Sequence, residues 1–145
     1  MPGRSASVLL LLAPFALAYG ASYFFRNVNA VAGPILAREF ALGPADLGLL
    51  TSAYFFTFSL AQIPLGMALD RYGPARVNTV MALAGALGAL LFGLAQDVAS
   101  LTIGRALIGL GAGAALMSAM SAVHLWVARE KIATAIGLIL SLIHI

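Results

Sequence analysis

Runs of about twenty mostly apolar residues follow one another along this chain with only short polar breaks, and a run of that length crosses the hydrocarbon core of a bilayer. In lipid an α-helix is the one single segment that satisfies all of its own backbone polar groups, so the pattern predicts helices. Four runs are read: Val8 to as far as Ala37, interrupted by Arg26, Asn27 and Asn29; Leu47 to Leu69; Val77 to Ala95; and about Val98 to Val127, with Arg105 inside it. A fifth begins near Ile132. With 62% of residues hydrophobic and 9% charged, the chain has too few polar side chains to cover a water-facing surface. The expected fold is an all-α polytopic membrane protein of four transmembrane helices plus the start of a fifth.

Orientation is read from the basic residues, because Lys and Arg near span ends are retained on the cytoplasmic side. With the N-terminus inside, Arg4, Arg71, Arg76, Arg129 and Lys131 are cytoplasmic, Arg38 is external, and Arg26 and Arg105 lie within spans. The expected location is the cell (inner) membrane, multi-pass, with a cytoplasmic N-terminus. Arg4, Val8 to Phe15 and Ala16-Leu17-Ala18 imitate a cleavable signal peptide, but apolar character continues through Phe25 and further spans follow. The net charge of +3 is explained by this topology; no clustered basic face suggests nucleic acid. Without cysteine there are no disulfides or thiolate metal sites, and no cofactor or metal is expected.

Lipid gives no hydrophobic drive for helix association, so close packing relies on small residues. Gly85 with Ala89, Ala84 with Gly88, and Gly109 with Gly113 are each spaced by one turn. Pro64 in the second span removes a helical hydrogen bond and predicts a kink.

Three places concentrate chemistry. The loop Gly66 to Arg76 puts Asp70, Arg71 and Arg76 between two apolar runs, with Gly73-Pro74 turning the chain. Asp70 ends the second span, where the helix dipole disfavours a carboxylate, so its partner lies on another element, unless the loop is only a solvated hairpin carrying topogenic charge. In the fourth span Arg105, Gly109 and Gly113 recur on one face, placing a costly charge beside a close-packed seam, unless Arg105 snorkels to the outer headgroups. Arg26 is the candidate for binding solute. If the first span is Pro14 to Leu36, Arg26 lies near mid-depth and shares a face with Ser22, Asn29 and Gly33; if it is Val8 to Phe25, Arg26 is an external flank. A guanidinium in an aqueous cavity suits carboxylate or phosphate. Tyr19, Tyr23, Tyr54 and Gln62 are further candidates for its lining.

Gly66, Asp70, Arg71, Gly73 and Arg76 resemble the signature between the second and third helices of the major facilitator superfamily, with Pro74 and Ala75 where basic residues are common. Leu101 to Gly113 resembles that family's Arg-then-Gly pattern. Tyr23-Phe24-Phe25-Arg26-Asn27 with Pro34 is similar to the first helix of its organic-anion branches, the organophosphate and anion:cation transporters. The resemblance implies a twelve-helix fold in two halves, of which residues 1–139 form part of the N-terminal six-helix bundle. It implies that Gly66, Asp70, Arg71, Gly73 and Arg76 are conformational gate residues engaging the missing C-terminal half. It also implies that Arg26, with Asn29 and Tyr23, binds a small solute, possibly an organic anion, and that Arg105, Gly109 and Gly113 are intramembrane structural or coupling residues. The implied activity is secondary active transport by alternating access. A complete four-helix membrane protein acting as an oligomeric interaction or regulatory subunit is the alternative.

No central Asp or Glu provides a proton relay in these spans, and His124 lies close to the cytoplasmic interface. No nucleophile and base pair, metal cluster or phosphate-cradling loop points to an enzyme. The last six residues, Leu140 to Ile145, are what the sequencing-library adapter CTGTCTCTTATACACATC encodes, so residues 140–145 are expected to be foreign. Amplifying the genomic locus past Ile139 is expected to return different codons and further apolar spans; the same codons followed by a stop would refute this.

Overall fold

The computed structural model describes residues 3–141, with side chains from residue 12 onward. The side chain of Arg4 and residues 142–145 of the terminal segment lie outside that range. The described chain has five α-helices: α1 (Gly3–Glu39), α2 (Pro44–Tyr72), α3 (Pro74–Gly93), α4 (Val98–Trp126) and α5 (Ile132–Ser141), with a 3₁₀ turn at Arg129–Lys131. No strand occurs among the described residues. Three of the helices, α2, α3 and α4, are long and apolar enough to cross a membrane. Within the part of α1 whose side chains are described, Arg26, Asn27 and Asn29 interrupt the apolar run.

Each helix boundary has a local cause. Pro44 and Pro74 open α2 and α3 at the first helical position, where a missing N–H costs nothing. Gly73 alone joins α2 to α3 at φ +81°, a conformation that side chains resist. It closes α2 by donating to the Leu69 carbonyl at 3.0 Å and opens α3 by accepting from Val77 at 3.3 Å. At the start of α4, the Ser100 amide donates to Asp97 Oδ1 at 2.7 Å. That amide and the Ser100 hydroxyl hold the Asp97 carboxyl below its usual range, so the cap is intact at neutral pH and is lost as pH falls through the depressed value.

The central helix is α4. Of its most apolar stretch 56% is buried, against 22% in α2 and 11% in α3. Outward faces carry Val31, Leu60, Ile63, Met67, Leu83, Leu87 and Leu90, all exposed, which is the surface expected to meet lipid acyl chains. Contact with α4 is made backbone to backbone. A Cβ added at Gly111 would stand 2.6 Å from the Gly85 Cα, and one at Gly88 would stand 2.7 Å from the Ile108 amide nitrogen. One at Gly104 would reach 2.8 Å from the Phe92 amide nitrogen. On the side of α2, a Cβ at Gly109 would overlap the Tyr54 carbonyl oxygen and come within 2.6 Å of Thr57 Oγ1. Thr57 then donates to the Ala106 carbonyl of α4 at 2.7 Å.

The extent of α1 differs from both sequence-based frames, because the helix runs through Pro14 and Pro34 without ending at either. At 37 residues it is roughly 55 Å long, well beyond the apolar thickness of a bilayer. Its registration on α4 places it in depth. Phe15 meets Trp126 edge-on at 5.7 Å between ring centroids, at the end of α4, while Leu36 clusters with Leu50 and Leu101 at its beginning. The segment from Phe15 to Leu36 therefore runs the length of α4, with Arg26 midway.

Gly109→Ala is expected to lower the thermal midpoint of the detergent-solubilised protein by the equivalent of about 1–3 kcal/mol, since the added methyl pushes α2 off α4. Gly48→Ala, where nothing lies within 4 Å, serves as the control and is expected to leave it unchanged. Equal midpoints for the two variants would contradict the close contact.

Candidate functional site

Three of the candidate side chains sit on one stretch of α1. Arg26 is exposed, and its Cζ lies 5.3 Å from the centroid of the Phe55 ring on α2. Tyr23, one turn earlier, is 39% exposed. Asn29, one turn later, donates from Nδ2 to Thr51 Oγ1 at 3.1 Å, and Thr51 donates to its own helix at the Leu47 carbonyl at 2.9 Å. The Oδ1 of Asn29 is buried with no partner. Phe55 and Thr51 are therefore the neighbours that α2 gives to this stretch, and nothing in the sequence pattern singled them out.

The polar stripe read from helical spacing divides. Arg26 and Asn29 turn to α2, whereas Ser22 lines a cavity of about 210 Å³ between α1, α3 and α4, with Asn78, Ile108 and Gly111. Tyr19 and Tyr54 are 9% and 1% exposed and belong to the packing, and Gln62 donates to the Phe58 carbonyl of its own helix at 3.1 Å. The physical reason is that α4 approaches α2 too closely at Gly109 to leave Tyr54 facing open space.

Arg105 is enclosed, with 1% of its surface exposed, and so does not snorkel to the headgroups. Its Nη1 donates to the Phe25 carbonyl of α1 at 2.8 Å. The guanidinium lies over Tyr54 at 4.8 Å and over Phe92 at 6.0 Å, measured from Cζ to each ring centroid. Nε is buried without an acceptor. The ring faces therefore provide much of the electrostatic stabilisation that a carboxylate usually supplies, a contribution of about 2 kcal/mol in a desolvated setting. Gly109 and Gly113, spaced by a turn along the same face, meet α2 at Tyr54 and Thr57 and at Gln62 and Leu65. Gly104 and Gly111, which meet α3, were not among the seam residues expected from spacing.

At the other end of α2, Asp70 is exposed and shares with Gly66 a cleft of about 390 Å³, whose far wall is Leu116, Met117, Met120 and Ser121 of α4. A Cβ at Gly66 would meet only Met117 Cε, at 3.9 Å, so this glycine leaves room that no described helix uses. Arg71 lies over the Tyr72 ring at 5.3 Å, and Arg76 is exposed in the first turn of α3. His124 lies one turn beyond Met120, with Nδ1 2.8 Å from the Met120 carbonyl oxygen, and faces no acidic group in that bond. No group of side chains suited to a metal ion exists among the described residues. Every acidic residue lies in a loop or within a turn of a helix end, so neither Arg26 nor Arg105 has a carboxylate at its own depth.

Residues 15–145 match the Major Facilitator Superfamily. The chain is 32% identical over 117 residues to a probable sulfoacetate transporter of Cupriavidus necator, a match covering 81% of this chain and 27% of that protein. It is 34% identical over 116 residues to a D-galactonate transporter of Escherichia coli, covering 79% of this chain and 27% of the relative. An uncharacterized transporter of Bacillus subtilis is 34% identical over 105 residues, covering 72% of this chain and 24% of its own length. The chain thus spans about a quarter of the length of these relatives.

Proposed function

The chain belongs to the Major Facilitator Superfamily, and from that premise we propose that residues 1–139 are the N-terminal part of a secondary transporter that carries a small organic anion by alternating access. The observation that carries the anion reading is Arg26: an exposed guanidinium halfway along the α4-spanning part of α1, with no carboxylate at its depth. An arginine in that position is costly unless it meets water or a negative partner, and the missing negative charge is the solute's. Its planar fork pairs with a carboxylate or sulfonate through two parallel hydrogen bonds. Two of the relatives are named for sulfoacetate and D-galactonate, and both are acids of that kind. Tyr23 adds its exposed phenol, and Asn29, held by its bond to Thr51, lines the same stretch one turn beyond Arg26.

Gly66, Asp70, Arg71, Gly73 and Arg76 act as a gate at the cytoplasmic face. Two features support this: the space left at Gly66 and the open cleft beside Asp70, which together would admit a helix from the C-terminal half. Arg105, Gly109 and Gly113 hold the bundle together inside the membrane. The protein resides in the cell (inner) membrane with its N-terminus in the cytoplasm, and residues 140–145 are adapter-derived. Coupling does not use a carboxylate in the spans seen here.

The test is uptake into cells or vesicles by the full-length protein encoded at the genomic locus, with sulfoacetate, D-galactonate and D-glucarate as probes. At least one is expected to be taken up, and Arg26→Lys is expected to abolish that uptake while membrane insertion is retained, because a point charge does not replace a planar fork. Uptake of none of the three, or unchanged uptake by Arg26→Lys, would overturn the organic-anion reading.

A further inference from the structure

The two intramembrane arginines are held by consecutive residues of α2. Tyr54 faces Arg105 at 4.8 Å and Phe55 faces Arg26 at 5.3 Å, and the two rings meet edge-on at 5.2 Å between centroids. From the other side, Arg105 takes the carbonyl of Phe25, the residue immediately before Arg26. In helix geometry that carbonyl already receives the amide of Asn29, so the guanidinium occupies its second lone pair without opening the turn. Asn29 closes the same turn against Thr51. One turn of α1, from Phe25 to Asn29, is thus fixed by α4 at its start and by α2 at its middle and end.

Resting on the reading of Arg26 as the anion-binding residue, we propose that Arg105 is a positioning residue for it: Arg105 sets the rotation of α1, and hence the aim of the Arg26 fork, and does not itself touch the solute. Three observations separate this role from that of a second anion ligand. Arg105 is 1% exposed, whereas Arg26 opens to the outside of the described bundle. One of its donors is committed to a backbone carbonyl, and its Cζ lies over two aromatic rings, Tyr54 and Phe92. The seat itself is built by Gly109, because any side chain there would drive the Tyr54 backbone away from α4. The Arg-to-Gly spacing of the fourth span therefore has a physical function here: the glycine brings in the ring on which the arginine rests.

A planar fork binds a carboxylate through two bonds only when it is aimed, so releasing α1 weakens solute binding more than it slows the carrier. The experiment compares uptake kinetics of the transported probe anion in the full-length protein and its Arg105→Lys, Tyr54→Leu, Tyr54→Phe and Arg26→Lys variants. Tyr54→Leu leaves both guanidiniums in place and removes only the ring, worth roughly a tenfold change in a desolvated setting. It is expected to raise KM about tenfold with a smaller change in maximal rate, while Tyr54→Phe, which keeps the ring, retains the parent KM. Arg105→Lys is expected to give the same rise, and the double variant Tyr54→Leu, Arg105→Lys no more than either alone.

Parent-like KM in Tyr54→Leu, or additive effects in the double variant, would overturn the proposal. If Arg105→Lys fails to insert, Tyr54→Leu decides the question by itself. Normal KM in Arg26→Lys would instead remove the reading on which the proposal rests, so the two failures are distinguishable.

Discussion

Everything in this bundle depends on how closely the backbones of α2 and α3 approach α4. Inside a bilayer, removing an apolar side chain from lipid gains little, so helices are held by dispersion contact and by hydrogen bonds that need short distances. The glycines of α4 supply those distances on two sides: Gly104 and Gly111 toward α3, Gly109 toward α2. Only with α2 at that separation does Thr57 reach the Ala106 carbonyl, and only then does the Tyr54 ring lie over Arg105. Packing, interhelical hydrogen bonding and the accommodation of a buried charge are consequences of one geometric condition.

That condition gives the two arginines different circumstances. Arg105 is consumed by the fold, with its charge spread over two ring faces and one backbone carbonyl. Arg26 has a ring on one side and no carboxylate at its depth. Two residues that look alike in the sequence, each an arginine within an apolar run, therefore play different parts: one braces the helix that carries the other. The Gly66–Arg76 segment is separate from both, at the far end of α2, where Gly73 permits a one-residue turn and Gly66 keeps a face of the helix clear.

Much of the fold was legible in the sequence because span length is set by the bilayer. The predicted ends of the second, third and fourth spans fall within one helical turn of α2, α3 and α4. The frame of the first span was not legible, since Pro14 and Pro34 both sit inside one continuous helix and only contact with α4 fixes its depth. Which face of each helix points inward was hidden as well. A membrane helix is apolar toward lipid and toward its neighbours, so periodicity carries little contrast, and Gly104 and Gly111 could not be told from the other small residues. The same lack of contrast concealed Tyr54 as the seat of Arg105 and Phe55 as the neighbour of Arg26. The charged residues stood out because each is an exception that its surroundings must accommodate.

The anion reading requires Arg26 to face water at mid-depth of the membrane. It is tested most directly with a spin label on a cysteine introduced at position 26 of the full-length protein in lipid vesicles, a substitution helped by the absence of cysteine from this chain. Relaxation by a water-soluble paramagnetic agent and by oxygen reports the label's access to water and its depth. Ready access to the water-soluble agent is expected, with distances to headgroup labels that place residue 26 near the bilayer centre. A label that is accessible mainly to oxygen, or that lies at the headgroup level, would contradict it.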